Sequence, residues 1–155
     1  MTEYSLAQEA DATEILALQK LAYRREAERY GDWTLPPLVQ TLEEMERDLR
    51  DKTVLKTVQD GRIVGSVRGH CVDGTCYVAR LVVQPDRQRQ GIGSELLRRI
   101  EDEFPDARRF ELFTGHRSDG PLRLYARAGY REFRREVVGE DLTLVYLEKR
   151  VFLPG

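Results

Sequence analysis

The sequence predicts one α/β domain on a mixed sheet, with the element order βααβββαβαββ. Two observations carry this expectation. Asp60-Gly61 and Asp73-Gly74 each separate two runs of apolar, β-prone residues, as hairpins require. Later, the run Arg80-Leu81-Val82-Val83 leads through a glycine turn into an amphipathic helix and then another strand, a crossover that places two strands parallel.

The elements follow in order. Tyr4 and Leu6 alternate with polar neighbours and predict a short strand. Asp11, with Glu14 three residues on, has the spacing of a capping box and predicts a helix running to about Tyr30, where Gly31 ends it. Trp33, Pro36 and Pro37 interrupt helical propagation, and Thr41 with Glu44 predicts a second capped helix to about Arg50. Val54 to Gln59, Arg62 to Val72 and Thr75 to Val83 are the three hairpin strands. From Gly91 to Phe104, Leu96, Leu97, Ile100 and Phe104 fall on one helical face. Phe110 to Thr114 predicts a strand. Ser118 to Arg127 predicts a helix with Ser118 or Asp119 at its cap, Pro121 in its first turn and Gly129 beyond its end. Tyr130 to Val138 and Leu142 to Arg150 close the sheet.

The chain has 155 residues, 18.0 kDa, 41% hydrophobic and 34% charged residues, and a formal net charge of −2. That length supports one core, burying roughly two-thirds of the unfolded surface. The composition excludes a disordered or collagen-like chain and a generally basic nucleic-acid coat. No apolar run approaches the roughly 18 residues of a membrane span, and the acidic start, with Glu3, Glu9 and Asp11, is unlike a secretory leader. We therefore expect a single domain over residues 1–155 in the cytoplasm, without nucleic-acid or membrane partners. Charge is uneven: residues 1–60 hold 8 Lys/Arg against 13 Asp/Glu, and residues 80–135 hold 13 against 9. An acidic front half suits a cationic substrate and a basic second half an anionic cofactor, the plain alternative being two solvated faces.

The Asp73-Gly74 turn sets Cys71 opposite Cys76, and a non-hydrogen-bonded pair there would bring their Cα atoms to roughly 4.5 Å. Two cysteines in a cytoplasmic chain are expected as reduced thiols, and no metal site is expected.

The chemistry concentrates after Pro85. Gln88-Arg89-Gln90-Gly91-Ile92-Gly93-Ser94 opens a helix, where backbone N–H groups lack internal partners and the helix dipole is positive, so the turn suits a diphosphate. A P-loop would need different glycine spacing and a lysine. A Rossmann fingerprint would need glycine at the place of Leu96.

Gln88-Arg89-Gln90-Gly91-Ile92-Gly93 resembles the Gln/Arg-x-x-Gly-x-Gly/Ala acyl-CoA signature of the GNAT N-acetyltransferase superfamily. Leu124-Tyr125-Ala126-Arg127-Ala128-Gly129-Tyr130 is similar to its second signature, Leu-Tyr-x-x-x-Gly-Phe/Tyr. The resemblance covers essentially the whole chain and implies a GNAT-like fold with acetyl-CoA as co-substrate. It implies that Leu81, Val82 and Val83 pair with the pantetheine arm, and that Gln88, Arg89, Gln90, Gly91, Ile92, Gly93 and Ser94 cradle the diphosphate, with Arg87 or Arg89 near the adenosine phosphate. It implies further that the Val83 N–H serves as oxyanion donor and that Tyr125 protonates the departing thiolate. Many members carry Asn near the start of the second-signature helix; here Ser118 and Pro121 stand instead, and Ser118 is the expected contact to the CoA arm.

His116, Glu111, His70 and Glu26 are base candidates by type, with His116 first for its place at a strand end near the expected acceptor. Tyr23, Glu26, Tyr30, Trp33 and Leu35 combine aromatic surface with a carboxylate and are the expected acceptor-binding region. The acceptor is a small amine, an amino acid or a protein terminus. The alternative is an acyl-CoA-binding module of the same fold that transfers nothing. Leu142, Leu144, Val145, Tyr146, Leu147, Val151, Phe152 and Leu153 are more apolar than one face of an edge strand needs, so a second face must be covered by a helix of the same chain or by another subunit; GNAT proteins often dimerise through such C-terminal strands, and a homodimer is expected.

Overall fold

A computed structural model describes residues 1–151. Its strands are β1 (Thr2–Leu6), β2 (Thr53–Gln59), β3 (Arg62–Val72), β4 (Thr75–Val83), β5 (Arg109–Gly115), β6 (Arg131–Val137) and β7 (Thr143–Arg150). They form one sheet in the order β1-β2-β3-β4-β5-β7-β6, antiparallel except where β4 meets β5. Both Asp-Gly turns form as expected, with Asp60, Gly61, Asp73 and Gly74 at positive φ. Cys71 pairs with Cys76 in the β3–β4 register; Cys71 is exposed and Cys76 buried.

The helices are α1 (Ala12–Ala22), α2 (Arg24–Tyr30), α3 (Pro36–Val39), α4 (Leu42–Asp51), α5 (Ile92–Asp102) and α6 (Asp119–Arg127). Two expectations need correction. The single helix to Tyr30 is two helices parted at Tyr23, and Asp11 and Glu14 do not form a capping box. Asp11 instead accepts the Gln8 N–H and the Lys56 ammonium, and the Glu14 carboxylate accepts the Ile63 N–H at 2.8 Å. A partner on a distant strand has replaced the local one. The Thr41–Glu44 box does form, each side chain accepting the other's backbone N–H. Pro36 and Pro37 open the four-residue α3, where their missing N–H groups cost nothing.

The sheet is covered unequally. Ile15, Leu18, Met45 and Leu49 from α1 and α4 pack on one face against Val54, Ile63 and Val82. On the other face, Leu96, Leu97, Ile100 and Tyr125 from α5 and α6 pack against Val67, Val78, Phe110 and Leu147. α5 lies close because Gly65 and Gly69 carry no side chain: a Cβ on Gly65 would stand 3.0 Å from both Ile92 and Leu96. On β5, β7 and β6, Phe113, Tyr146 and Phe133 form an aromatic row, Phe113 being 52% exposed. Val145 and Leu147 of the apolar C-terminal run are covered by α5 and α6 of the same chain; Phe152 and Leu153 lie outside the described residues. No helix is long and apolar enough to cross a membrane, among the described residues.

Candidate active site

The central feature is an opening between two strands. β4 and β5 pair only from Thr75↔Arg109 to Tyr77↔Glu111, and beyond that point they part. The cause lies in β4, where the register against β3 slips between Ser66 and Arg68 and Arg80 takes φ +56. Such a bulge bends its strand away from its neighbour. The Gln84 N–H donates to Val64 O at 2.8 Å, so by antiparallel alternation the Val83 N–H points to the opposite edge, toward the opening. That edge is free of β5.

At the end of β4, a turn over Pro85–Arg87 leads to Arg89 at φ +68 and Gly91 at φ +79, which caps α5. A Cβ at Gly91 would meet nothing within 4 Å. Glycine is therefore needed there for its backbone, with open space above it. The first helical bond runs from Glu95 N to Gly91 O, which leaves the N–H groups of Ile92, Gly93 and Ser94 at the positive end of the helix. The Ile92 side chain is buried and anchors the turn, whereas Gln88, Arg89, Gln90 and Ser94 are exposed. Gln59 fastens the loop to β2, accepting from Arg87 at 3.3 Å and donating to Gln90 at 3.2 Å. From Ser94 a groove of about 280 Å³ runs between α5 and α6, past Arg98, Leu124, Arg127 and Lys149. These features fit an acyl-CoA: unpartnered N–H groups for a diphosphate, an open strand edge for an amide-bearing arm, and basic side chains along the continuation.

Tyr125 stands on α6 at 8% exposure, and its hydroxyl makes no hydrogen bond among the described residues. Burial pushes its pKa well above the usual phenol value, with Tyr23 and Glu26 adding to the effect, so it keeps its proton at neutral pH. Tyr23 is raised by burial too, against the lowering influence of Arg80 and Arg68.

Beside them lies a network joining α2 to the start of α6. Ser118 Oγ donates to Glu26 Oε2 at 2.6 Å and lies 2.8 Å from Tyr30 Oη, which accepts the Arg117 N–H at 2.9 Å. Ser118 holds the cap position of α6 without capping it. Glu26 also accepts from Arg29 at 2.5 Å. The Tyr30 hydroxyl sits directly over Gly115, where a Cβ would be 2.1 Å away.

Tyr23, Glu26, Tyr30, Ser118 and Tyr125 are thus brought together at the opening. Trp33 stands apart, 56% exposed between α2 and α3. His116 Nδ1 lies against the Thr143 backbone, 3.0 Å from its N–H and 3.2 Å from its carbonyl oxygen. His70 stacks on Tyr77, and Glu111 pairs with Arg109 at 2.9 Å; both lie where β4 and β5 are still joined.

The sequence reading missed Arg68, Arg80 and Gly115. Arg68, 2% exposed, donates to Asp48 at 2.5 Å and Gln19 at 2.8 Å. A cation inside the apolar run Ile63 to Val72 was the available signal for it. Gly115 and Arg80 carry none, because their roles depend on partners distant in sequence. Among the described residues no group of three or more His, Cys, Asp and Glu side chains is arranged to hold a metal ion.

The family described as an acetyltransferase (GNAT) domain matches residues 22–151, and the chain belongs to it. It shares its fold with the ribosomal-protein-S18-alanine N-acetyltransferase of Escherichia coli (TM-score 0.82, 16% identity, 100% of this chain and 97% of that one). A second likeness is to the PaiA N-acetyltransferase of Thermoplasma acidophilum in complex with coenzyme A (TM-score 0.70, 14% identity, 97% and 99%). In sequence it is 29% identical over 133 residues to the UPF0157 protein YqkA of Bacillus subtilis (strain 168), covering 86% of this chain. The chain spans 38% of the length of that relative.

Proposed function

We propose that the chain is an acetyl-CoA-dependent N-acetyltransferase acting on a primary amine. The observation that carries this is the convergence, at one opening, of the free β4 edge ending at Val83, the Gly91-capped start of α5 and the unpartnered Tyr125 hydroxyl. Bound acetyl-CoA supplies an activated acyl thioester. Leu81, Val82 and Val83 offer their strand edge to the pantetheine arm and the N–H groups opening α5 hold the diphosphate, whereas Ser118, fully buried with its hydroxyl engaged by Glu26 and Tyr30, is not the contact to the arm expected from the sequence. The Val83 N–H stabilises the charge that develops on the carbonyl oxygen as the amine attacks. Tyr125, kept protonated by burial, donates its proton to the departing sulfur.

On the acceptor side, Tyr23 and Glu26 hold the amine and Tyr30 positions Glu26 through Ser118, while Trp33 stands outside this group. For proton removal the geometry favours Glu26 over His116. Nδ1 of His116 is held by the Thr143 backbone, whereas Glu26 lies in the network with Ser118 and Tyr30 at the start of α6. Glu26 attracts the ammonium and passes its proton on through water. The part-exposed Phe113–Tyr146–Phe133 row, over which Arg134 and Arg109 stack, and the exposed edge strand β6 support a homodimer.

The test is release of free CoA thiol from acetyl-CoA across a panel of amines, with the acetylated product identified by mass. Turnover with at least one amine is expected. Acetyl-CoA binding without transfer to any of them would leave a binding module and overturn the enzymatic reading.

A further inference from the structure

One guanidinium at the opening has no partner of any kind among the described residues. Arg68 is neutralised by Asp48, and Glu26 by Arg29. Arg80 makes neither ion pair nor hydrogen bond among the described residues, and its Nη1 is buried without a partner. The neighbouring Arg68 Nε is buried and unpartnered as well. Buried guanidinium donors lacking an acceptor are costly and rare in folded proteins.

The backbone carries a second cost at the same residue. Arg80 holds φ +56, a region a non-glycine side chain enters only under constraint from its surroundings. The bulge alone does not require arginine, since glycine would take that conformation without strain. Both costs fall where β4 leaves β5, three residues and about 10 Å along the strand from Val83. Arg80 influences the ionisation of both Tyr23 and Arg68, as does Glu26 that of Tyr23, which sets its guanidinium on the α1–α2 side of the opening.

We propose that Arg80 is a specificity-determining residue that binds a carboxylate on the acceptor, so that the substrate is an amino acid or a similar compound with its amine a few bonds from a carboxylate. This rests on the acetyl-transfer reading above. A guanidinium matches a carboxylate in plane and in donor spacing. With the carboxylate on Arg80, the ammonium faces Glu26 and the amine is directed toward the Val83 end of the strand.

The test uses each of the twenty L-amino acids paired with its own carboxamide, which keeps the amine and side chain and removes the negative charge. Initial rates with acetyl-CoA are measured for wild type, Arg80→Gln and Arg80→Lys, alongside acetyl-CoA titration of each protein. In wild type, at least one amino acid is expected to exceed its amide in kcat/KM by roughly 10- to 100-fold, the range of one hydrogen-bonded charge contact. Arg80→Gln should bring that ratio near one and Arg80→Lys should restore part of it. If wild type acetylates the amides as well as the acids in every pair, or Arg80→Gln keeps the ratio, the inference is overturned while the acetyltransferase reading stands. Failure of wild type to bind acetyl-CoA or to acetylate any amine overturns both. The wild-type comparison needs no variant and so decides the matter even if Arg80→Gln does not fold.

Discussion

Replacing Gly115 by Ala puts a methyl carbon 2.1 Å from Tyr30 Oη, 2.4 Å from Cζ and 2.9 Å from Cε2. Contact distances for such atoms are about 3.5 Å, so the ring must withdraw by more than ~1 Å. Tyr30 is 5% exposed and has little room to withdraw. Its movement breaks the contacts of Tyr30 Oη to Ser118 and to the Arg117 N–H, each worth about 1 kcal/mol net. Forced overpacking adds about 1–3 kcal/mol, and the lower chain entropy of Ala returns about 0.5 kcal/mol. The expected loss is therefore about 3 kcal/mol, or roughly 6–12 °C in Tm for a chain of this size. Urea unfolding at 25 °C reads the first figure and scanning calorimetry the second. The decisive comparison is a double-mutant cycle: in a Tyr30→Ala background the obstacle is gone, and Gly115→Ala should cost under about 0.5 kcal/mol. A Gly115→Ala protein within 0.5 kcal/mol of wild type, or a strictly additive cycle, would refute the seating of Tyr30 on Gly115.

Tyr125→Phe keeps the buried ring and removes the acid, so acetyl-CoA should bind nearly as before while turnover falls by about 10² to 10⁴; a loss under about threefold at saturating substrate leaves Tyr125 as packing. Gly91→Val should destabilise by only about 1–2 kcal/mol, from its positive φ alone, yet weaken acetyl-CoA by about 2–3 kcal/mol, and unchanged affinity in calorimetry sinks the cradle. Burial raises the Asp48 carboxyl, but the Gln40 amide, Arg68 and Lys52 outweigh it and hold the pKa below the ordinary value. Its contribution to stability is accordingly full above the unfolded aspartate pKa and lost as pH falls through the depressed folded value. Asp48→Asn should remove part of that acid sensitivity and, by stranding Arg68, cost about 3 kcal/mol at pH 7; equal pH slopes in the two proteins would contradict this. Light scattering at tens of micromolar should show a dimer, and a monomer there counts against the apolar face as an interface.

The amino-acid sequence by itself determined the features written within a few residues. Asp60-Gly61 and Asp73-Gly74 set their turns because positive φ is a local preference, and Thr41 with Glu44 capped α4 because both partners lie in one turn. The Gly91 entry to α5 was legible for the same reason. With it came the diphosphate cradle and the family signature.

The tertiary structure decided what depends on residues far apart in the chain. Glu14 has the spacing of a capping residue, but the Ile63 N–H, 49 residues away, was the better partner once β3 lay beside it. Ser118 reads as a helix cap, yet its hydroxyl serves Glu26 across 92 residues. The insertion of β7 between β5 and β6 and the parting of β4 from β5 arise from sheet pairing, in which one register slip near Arg80 redirects a whole strand edge. The site is built at that edge. Backbone conformational preferences act over about four residues, whereas buried hydrogen bonds, ion pairs and strand register are chosen by whichever distant groups the folded chain brings within reach.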